Sequence, residues 1–313
     1  MNLFIAGATG AIGRCLVPML VSAGHKVVAL TRSAGRASQL EQMGAVPVLG
    51  DVYDEARLAR LVAQSEAEVV IHQLTAFGTR QGDPYAETIR VRIDGTRSLI
   101  CAARAARARR FIAQSISFMC SPSGSGLTDE ETPLHLEARP AVRALAEAIA
   151  SLERQTLNAY GTSGTVLRYG WFYGPGTSYD PEGIIPSALR KGTMPIVGTG
   201  AGTYSFINLH DAAAATVKVL AHEAGGIYNI VDDSPVRLSE WLPVAAKLLG
   251  APAPGHLDEA SARQKLGDMR VYYMNEQRGA SNAKAKRALN WQPGFPSWRT
   301  GFEALYAHRA ATT

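Results

Sequence analysis

The chain has 313 residues, of which 46% are hydrophobic, and this is enough for one large α/β domain or two smaller ones. Its net charge of +5 is modest, and the densest basic cluster, "RAARARR" at 104–110, contains no aromatic residue. A solvated helix end explains that cluster better than a nucleic-acid partner. There is no apolar run of about 18 residues and no basic leader, so we expect no membrane partner.

The three cysteines, Cys15, Cys101 and Cys120, are scattered along the chain. Their spacing matches neither a metal site nor a paired disulfide framework. The sequence therefore predicts no metal, and reduced thiols in a cytoplasmic protein.

Short β-branched runs alternate with amphipathic stretches through the first half of the chain. The predicted strands are "LFIAG", "KVVAL", "VPVLG", "EVVIH", "RFIAQ" and "TVLRYG", and the predicted helices lie near 11–23, 36–43, 55–64, 84–108 and 137–153. This alternation predicts an α/β fold with a Rossmann-type, doubly wound parallel sheet.

The regular alternation of strand and helix patterns ends after Tyr173, where a Gly/Pro-rich loop leads into shorter predicted elements. We therefore expect a dinucleotide-binding domain at 1–173, to which a strand near 226–231 returns. Residues 174–313 are expected to form mainly a smaller α/β lid that binds the substrate.

A glycine-rich turn, "FIAGATGAIGR", joins the first predicted strand to the first helix. Gly7 allows the turn, Gly10 lets the backbone approach a pyrophosphate, and Gly13 lets the helix pack on the strand. The helix N-terminus adds free amide groups and its dipole. The predicted cradle also includes the residues between these glycines: Thr9, Ala11 and Ile12.

The second strand ends in "ALTRSAGR", where an NAD site normally has a carboxylate for the ribose 2′-hydroxyl. Arg32 can pair with a 2′-phosphate and Ser33 can hydrogen-bond to it, with Arg36 nearby. NADP(H) is therefore the preferred cofactor, and NAD(H) stays possible. Asp51, with Val52 packed beside it, is placed to bind adenine.

Five motifs occur in a characteristic order: "GATGAIG", "GD" after strand three, "VVIHQLTA", "LRYGWFYGPG" and "FINLHDAAAA". In this order they resemble the extended short-chain dehydrogenase/reductase superfamily, in its NAD-dependent epimerase/dehydratase group. The resemblance covers nearly the whole chain. It implies further cofactor contacts after strand four, from Leu74, Thr75 and Ala76, and a homodimer through helix four and the 137–153 helix.

In that family a Tyr-x-x-x-Lys pair on the 137–153 helix performs acid/base chemistry and holds the nicotinamide ribose. If Glu147 marks the position that follows the lysine by four residues, Arg143 replaces the lysine and Arg139 the tyrosine. Arginine can donate to a ribose, but with a pKa above about 12 it is a poor proton shuttle. Arg92 likewise replaces an asparagine that is usual in helix four.

The sequence offers several candidates for the proton donor that replaces the tyrosine and does not decide between them. Ser115 or Ser117 matches the Ser/Thr of the fifth strand, and Arg143 retains the ribose-holding role. Tyr173 is a further candidate, although a tyrosine in "YGPG" commonly packs its loop. His72 is better explained as a structural residue.

Aromatic residues in several segments suggest an apolar, aromatic pocket: Tyr85, Phe118, Trp171, Phe172, Tyr179 and Tyr204. The function expected is an NADP(H)-dependent reductase of a small aromatic or secondary-metabolite substrate. The alternatives are a redox-neutral isomerase, lyase or cyclase, a sugar-nucleotide epimerase or dehydratase, and a non-enzymatic NADP(H) sensor.

Overall fold

A computed structural model describes residues 1–76, 85–222 and 225–307. Contacts divide the chain into two compact units. Unit 1 comprises Met1–Ser115, Ala144–Arg168 and Ala213–Tyr228, and unit 2 comprises Ile116–Arg143, Tyr169–Ala212 and Asn229–Thr313. Which parts of the chain bind the cofactor and which the substrate stays a prediction.

The sheet of unit 1 has seven strands, which are β1 Asn2–Ala6, β2 Lys26–Thr31, β3 Val46–Leu49, β4 Val69–His72, β5 Arg110–Ile116, β6 Ser163–Tyr169 and β11 Gly226–Ile230. Their order in the sheet is β11-β6-β5-β4-β1-β2-β3. The pairs from β5 to β3 are parallel, with Leu3 aligned to both Val27 and Val69. The predicted doubly wound α/β class is confirmed.

Helices cover the sheet because their apolar faces are buried against it, in a core that includes Phe4, Leu58, Leu99, Phe111 and Leu152. Their bounds are α1 Gly13–Ser22, α2 Ala37–Gln42, α3 Glu55–Gln64, α4 Ala86–Arg90, α5 Thr96–Ala105, α6 Pro140–Leu157 and α8 Leu209–Ala221. A π-helical segment, Val91–Gly95, lies between α4 and α5, within the single helix predicted near 84–108.

Unit 2 has an aromatic core of its own, in which Trp241, Phe206 and Phe302 pack edge to face. Its strands are β7 Trp171–Tyr173, β8 Ile196–Val197, β9 Thr203–Tyr204, β10 Phe206–Asn208, β12 Val236–Arg237 and β13 His256–Leu257. Its further helices are α7 Ile184–Arg190, α9 Leu238–Leu248, α10 Glu259–Leu266, α11 Asp268–Val271, a π-helical segment Tyr272–Glu276, α12 Ala283–Leu289 and α13 Trp298–Ala307.

Two negative findings apply to the residues described above. None of their helices combines the length and apolarity that a membrane crossing requires. Nor do their His, Cys, Asp and Glu side chains form a group of three or more that could hold a metal ion.

Candidate active site

The turn between β1 and α1 passes very close to the end of β4. Gly7 has a φ of +98°, and a Cβ there would lie 2.5 Å from the carbonyl carbon and oxygen of Gln73. Glycine is required at this position both for its backbone conformation and for the available space. The turn therefore lies directly beside the carboxyl end of β4.

Gly13 lets α1 begin against the preceding turn, because a Cβ there would lie 2.2 Å from the carbonyl oxygen of Ala8. The amide of Gly10 donates to the carbonyl of Gly7 at 3.0 Å, and the amide of Arg14 donates to that of Gly10 at 3.1 Å. Because the amides of Arg14 and Cys15 already have carbonyl acceptors, the donors that this helix start can offer an anion are the amides just before them, aided by the helix dipole. The predicted cradle residues Thr9, Ala11 and Ile12 lie in this turn.

The end of β2 carries the predicted phosphate-binding residues. Arg32 is exposed, with its Nη1 3.9 Å from Oδ2 of Asp51. Ser33 begins a short 3₁₀ helix, and its amide donates to Oγ1 of Thr31 at 3.2 Å. Arg36 reaches back to the glycine-rich turn, where its Nη1 donates to Oγ1 of Thr9 at 3.4 Å. The structure thus brings the turn and the β2 end together.

A shallow depression of about 280 Å³ opens at the ends of β2 and β3, lined by Arg32, Leu49, Gly50, Asp51 and Arg57. Arg57 is held there because its Nε donates to the carbonyl of Leu49 at 3.0 Å. Sequence reasoning missed Arg57, which is placed only once Asp54 has capped α3 by accepting from the Arg57 amide. Two guanidinium groups and one carboxylate therefore border the depression.

The remaining cofactor candidates lie at neighbouring strand ends. Val52 is buried after β3. The amide of Leu74 donates to Nδ1 of His72 at 3.2 Å, and the amide of Ala76 donates to Oγ1 of Thr88 at 3.2 Å. Thr75 between them is exposed. This segment follows β4, beside the Gly7 turn.

His72, the last residue of β4, is fully buried. Because the Leu74 amide donates to Nδ1, the ring proton lies on Nε2, which donates to Oγ1 of Thr96 at 3.1 Å. That hydroxyl in turn donates to the carbonyl of Arg92 at 2.6 Å. Burial, with a smaller effect from the Arg92 charge, lowers the pKa of His72 to about 3. His72 is a neutral structural residue.

Ser115 is placed in the core of unit 1, in surroundings that do not favour a role as proton donor. It is fully buried, and its hydroxyl donates to Oε1 of Glu153 at 2.7 Å. Arg168 binds the same carboxylate through Nε at 2.8 Å and Nη2 at 2.7 Å. This buried network joins β5, α6 and β6, and the hydroxyl of Ser115 is committed to it.

Ser117 differs from Ser115 in its hydrogen bonding. Its amide donates to the carbonyl of Tyr169 at 2.9 Å, whereas its buried hydroxyl has no partner among the described residues. An unsatisfied hydroxyl is costly unless a ligand or water binds it, so Ser117 remains the serine candidate.

Tyr173 is placed in the aromatic core of unit 2, which argues against its role as proton donor. It is fully buried, contacts Phe206 and Phe302 edge to face, and would clash at 2.1 Å with a Cβ at Gly301. Burial raises its pKa, and nearby Asp232 and Asp211 add to the rise. A phenol enclosed in this way has a packing role.

The helix α6 carries neither tyrosine nor lysine. Arg143, in its first turn, and Glu147 are exposed. Arg139 precedes the helix, and its Nε lies 3.7 Å from Oδ1 of Asp268. The two arginines assigned to the family's pair positions therefore have different surroundings.

The aromatic residues expected in a pocket do not lie together in one setting. Tyr179 and Tyr204 lie in the core of unit 2. Phe118 stacks on Trp171 with the ring centroids 4.1 Å apart, and Tyr273 packs its edge against both. Phe172 is half-buried beside Tyr169, and Tyr85 is half-buried in unit 1. Sequence reasoning missed Tyr273.

Comparison with known proteins identifies a family and a close sequence relative. The model of the NAD dependent epimerase/dehydratase family matches residues 3–231. A 3-diazoavenalumate denitrifying reductase from Streptomyces sp is 41% identical over 305 residues, which cover 96% of this chain and 99% of that protein.

A more distant relative and a solved structure of the same fold also match. A 4-hydroxy-2-methyl-3-oxo-4-farnesyl-3,4-dihydroquinoline-1-oxide ketoreductase from Stigmatella aurantiaca is 28% identical, covering 97% of this chain and 96% of the relative. The structure of the UDP-glucose 4-epimerase of Thermus thermophilus in complex with NAD has a TM-score of 0.78 at 21% identity and covers 100% of both chains. The chain belongs to the NAD-dependent epimerase/dehydratase family, as an NAD(P)-dependent oxidoreductase.

Proposed function

We propose that this protein is an NADP(H)-dependent reductase that removes a diazo group from an aromatic secondary metabolite. The observation that carries the proposal is the absence of tyrosine and lysine from α6, together with the full-length similarity to a denitrifying reductase that is named for a diazo substrate. The aromatic character of the substrate is our extension, supported by the quinoline in the name of the second relative.

The chemistry explains why a proton donor on α6 is dispensable. When bound, the reduced dinucleotide supplies a hydride, and an arenediazonium that accepts it gives an arene and dinitrogen without consuming a proton. Reduction of a carbonyl, in contrast, needs a proton for the new alkoxide. A catalyst for denitrification can therefore rely on orientation of its reactants.

The residues of unit 1 fit an NADP(H) molecule. The Gly7 turn and the start of α1 would hold the pyrophosphate. Arg32 and Ser33 would bind the 2′-phosphate, and Asp51 the adenine. The exposed guanidinium of Arg32 at the edge of the depression supports this preference over NAD(H).

Isotope labelling tests the reaction. The protein is incubated with a hydroxyarenediazonium salt and NADPH deuterated at the 4R or 4S position, while absorbance at the NADPH band and dinitrogen release are followed. We expect enzyme-dependent release of dinitrogen and deuterium in the arene from one of the two labels. A parallel reaction with unlabelled NADPH in heavy water should leave the arene unlabelled.

Several outcomes would contradict the proposal. Deuterium that enters the arene from heavy water would show that a proton completes the reaction. A rate equal to that of a protein-free control would show that the chain does not catalyse this reduction. Turnover without net loss of NADPH would favour the redox-neutral alternatives.

We also propose a cytoplasmic homodimer. The packing of α6 restricts how this dimer is built, because Ala146 and Ala148 on its alanine-rich face are already buried within the chain. A partner would instead meet exposed positions of α5 and α6, such as Cys101, Glu147 and Arg154.

A further inference from the structure

An aromatic cluster in unit 2 consists of Phe118, Trp171 and Tyr273. Phe118 stacks on Trp171 with the ring centroids 4.1 Å apart, and Tyr273 meets both rings edge to face at 5.8 Å and 5.0 Å. Phe118 and Tyr273 are buried, whereas Trp171 is only half-buried. Trp171 therefore leaves the cluster with an aromatic surface against which a planar ligand can pack.

The cluster is held in place by the π-helical segment Tyr272–Glu276. The hydroxyl of Tyr272 donates to the carbonyls of Phe118 at 3.1 Å and Cys120 at 3.0 Å. These bonds fasten the segment to the chain that follows β5, so that Tyr273 is placed on Phe118. π-helical insertions often occur at functional sites.

The cluster adjoins the serine candidate. Ser117 immediately precedes Phe118, and its amide donates at 2.9 Å to the carbonyl of Tyr169, which is two residues before Trp171. The buried hydroxyl of Ser117 has no partner among the described residues. The stacked pair of rings and this hydroxyl therefore lie where β5 and β6 end.

Gln277 follows the π-helical segment and is 1% exposed. Its backbone is fixed, because its amide donates to the carbonyl of Tyr272 and its carbonyl accepts from the amide of Thr203, both at 2.8 Å. The indole Nε1 of Trp171 donates to Oε1 of Gln277 at 3.3 Å. Because an indole N–H can only donate, this bond determines which end of the side-chain amide is the oxygen. The other end, Nε2, is a buried donor without a partner in the described part of the chain.

We propose that Gln277 is a specificity-determining residue, whose Nε2 donates to an oxygen carried by an aromatic substrate that packs on Trp171. A buried donor without an acceptor is costly, and a ligand oxygen removes that cost. The inference rests on the proposed reductase function and deepens it, because it names the substrate as a hydroxyarene. The oxygen accepts the bond equally well as a phenol or as a phenolate.

The chemistry of the cluster also suits a diazonium group. Its three rings and the amide of Gln277 carry no permanent charge, so they do not repel a cationic substrate. The faces of aromatic rings attract cations, and tryptophan does so most strongly. The cluster can therefore hold the charged arene while Gln277 selects for its oxygen.

Ligand binding without turnover tests the inference. Ligand-observed ¹⁹F NMR titrations of the NADP⁺-bound protein compare 4-fluorophenol with fluorobenzene, which differ only in the hydroxyl group. We expect the wild type to bind 4-fluorophenol about tenfold more tightly. Gln277→Met keeps the length of the side chain but removes the donor, and should lower the ratio of the two affinities about tenfold. Gln155→Met is the control, because Nε2 of Gln155 already donates to the carbonyl of Ile93 at 3.1 Å, and should leave the ratio unchanged.

A second variant tests the same idea if Gln277→Met fails to fold. Trp171→Phe keeps an aromatic ring but removes the N–H that orients the amide of Gln277. The amide can then turn, so the ratio should fall severalfold. An unchanged ratio in either folded variant, or an equal fall in Gln155→Met, would overturn the inference.

The outcomes separate this inference from the function on which it rests. Dinitrogen release from the hydroxyarenediazonium salt, with wild-type protein that binds both fluoroarenes equally, would overturn the inference alone. The expected pattern of ratios without enzyme-dependent dinitrogen release would overturn the proposed reaction alone. Wild-type protein that binds neither fluoroarene and releases no dinitrogen would overturn both.

Discussion

Replacement of Asp232 by asparagine should stabilise the protein at neutral pH and above. Asp232 is 1% exposed, and its Oδ2 makes no hydrogen bond to the described residues. Burial raises its pKa from 3.8 to about 7, and nearby Asp233 and Asp211 add to the rise. The backbone amides of Ser234, which donates to Oδ1 at 3.1 Å, and of Trp298 oppose it. A neutral side chain therefore suits this site better than a carboxylate.

The sign of the effect follows from proton linkage. Between about pH 4 and pH 7 the unfolded chain ionises Asp232 while the folded chain keeps its proton, so stability falls as pH rises. Each pKa unit between 3.8 and about 7 corresponds to about 1.4 kcal/mol of unfolding free energy. The folded protein therefore loses about 4 kcal/mol of stability, and the loss is complete above pH 7. Asp232→Asn cannot ionise at this position, so its free energy of unfolding should exceed that of the wild type by most of this amount at pH 8 and should equal it at pH 4.

Urea unfolding of the wild type and Asp232→Asn at pH 4, 5, 6, 7 and 8 measures the difference directly, because titrating groups that do not interact with Asp232 contribute equally to both proteins. Asp233→Asn is the control. It loses an ion pair with Lys286 at 3.0 Å while removing only one of the like charges that raise the Asp232 pKa, and so should gain much less than Asp232→Asn at pH 8. A difference between wild type and Asp232→Asn that stays constant across this range would refute the reasoning.

Four further predictions concern the cofactor site and assembly. Gly13→Ala should lower the melting temperature and abolish measurable NADPH binding in calorimetry, since its Cβ would lie 2.2 Å from a backbone oxygen. Arg32→Ala should weaken NADPH binding about tenfold to a hundredfold and leave NADH binding unchanged. Arg60→Ala on α3, the control, should leave the binding of both cofactors unchanged. Arg143→Ala should weaken cofactor binding severalfold and Arg139→Ala should not, because the latter removes only a surface ion pair; the reverse order in titrations would show that the two roles are misassigned. Light scattering at micromolar concentration should give the mass of a dimer, and a monomer mass would count against that proposal.

The sheet and its glycine-rich turn could be read from the sequence because both depend on local patterns. Alternating β-branched runs and helices specify parallel strands, and Gly7 and Gly13 are required by contacts within a short stretch of chain. Predicted helix ends differ from the observed ends by a few residues, as expected where capping decides them.

The surroundings of individual side chains could not be read in this way. Ser115 and Ser117 lie two residues apart, and only the packing of Glu153 and Arg168 shows that the first is committed to a buried network. Tyr173 ends a short strand, as an active-site residue could, yet Phe206 and other residues distant in sequence enclose it. Such contacts depend on tertiary structure, which the spacing of one segment does not encode.

The network of Ser115, Glu153 and Arg168 also restricts how this protein can evolve. Loss of Glu153 alone would leave the Arg168 guanidinium, which is 4% exposed, without its carboxylate, at a cost of about 3 to 5 kcal/mol. Replacement of both charged residues by apolar ones of similar size carries no such penalty. Natural homologues should therefore retain both charges or neither, so that positions 153 and 168 change together across the family's history.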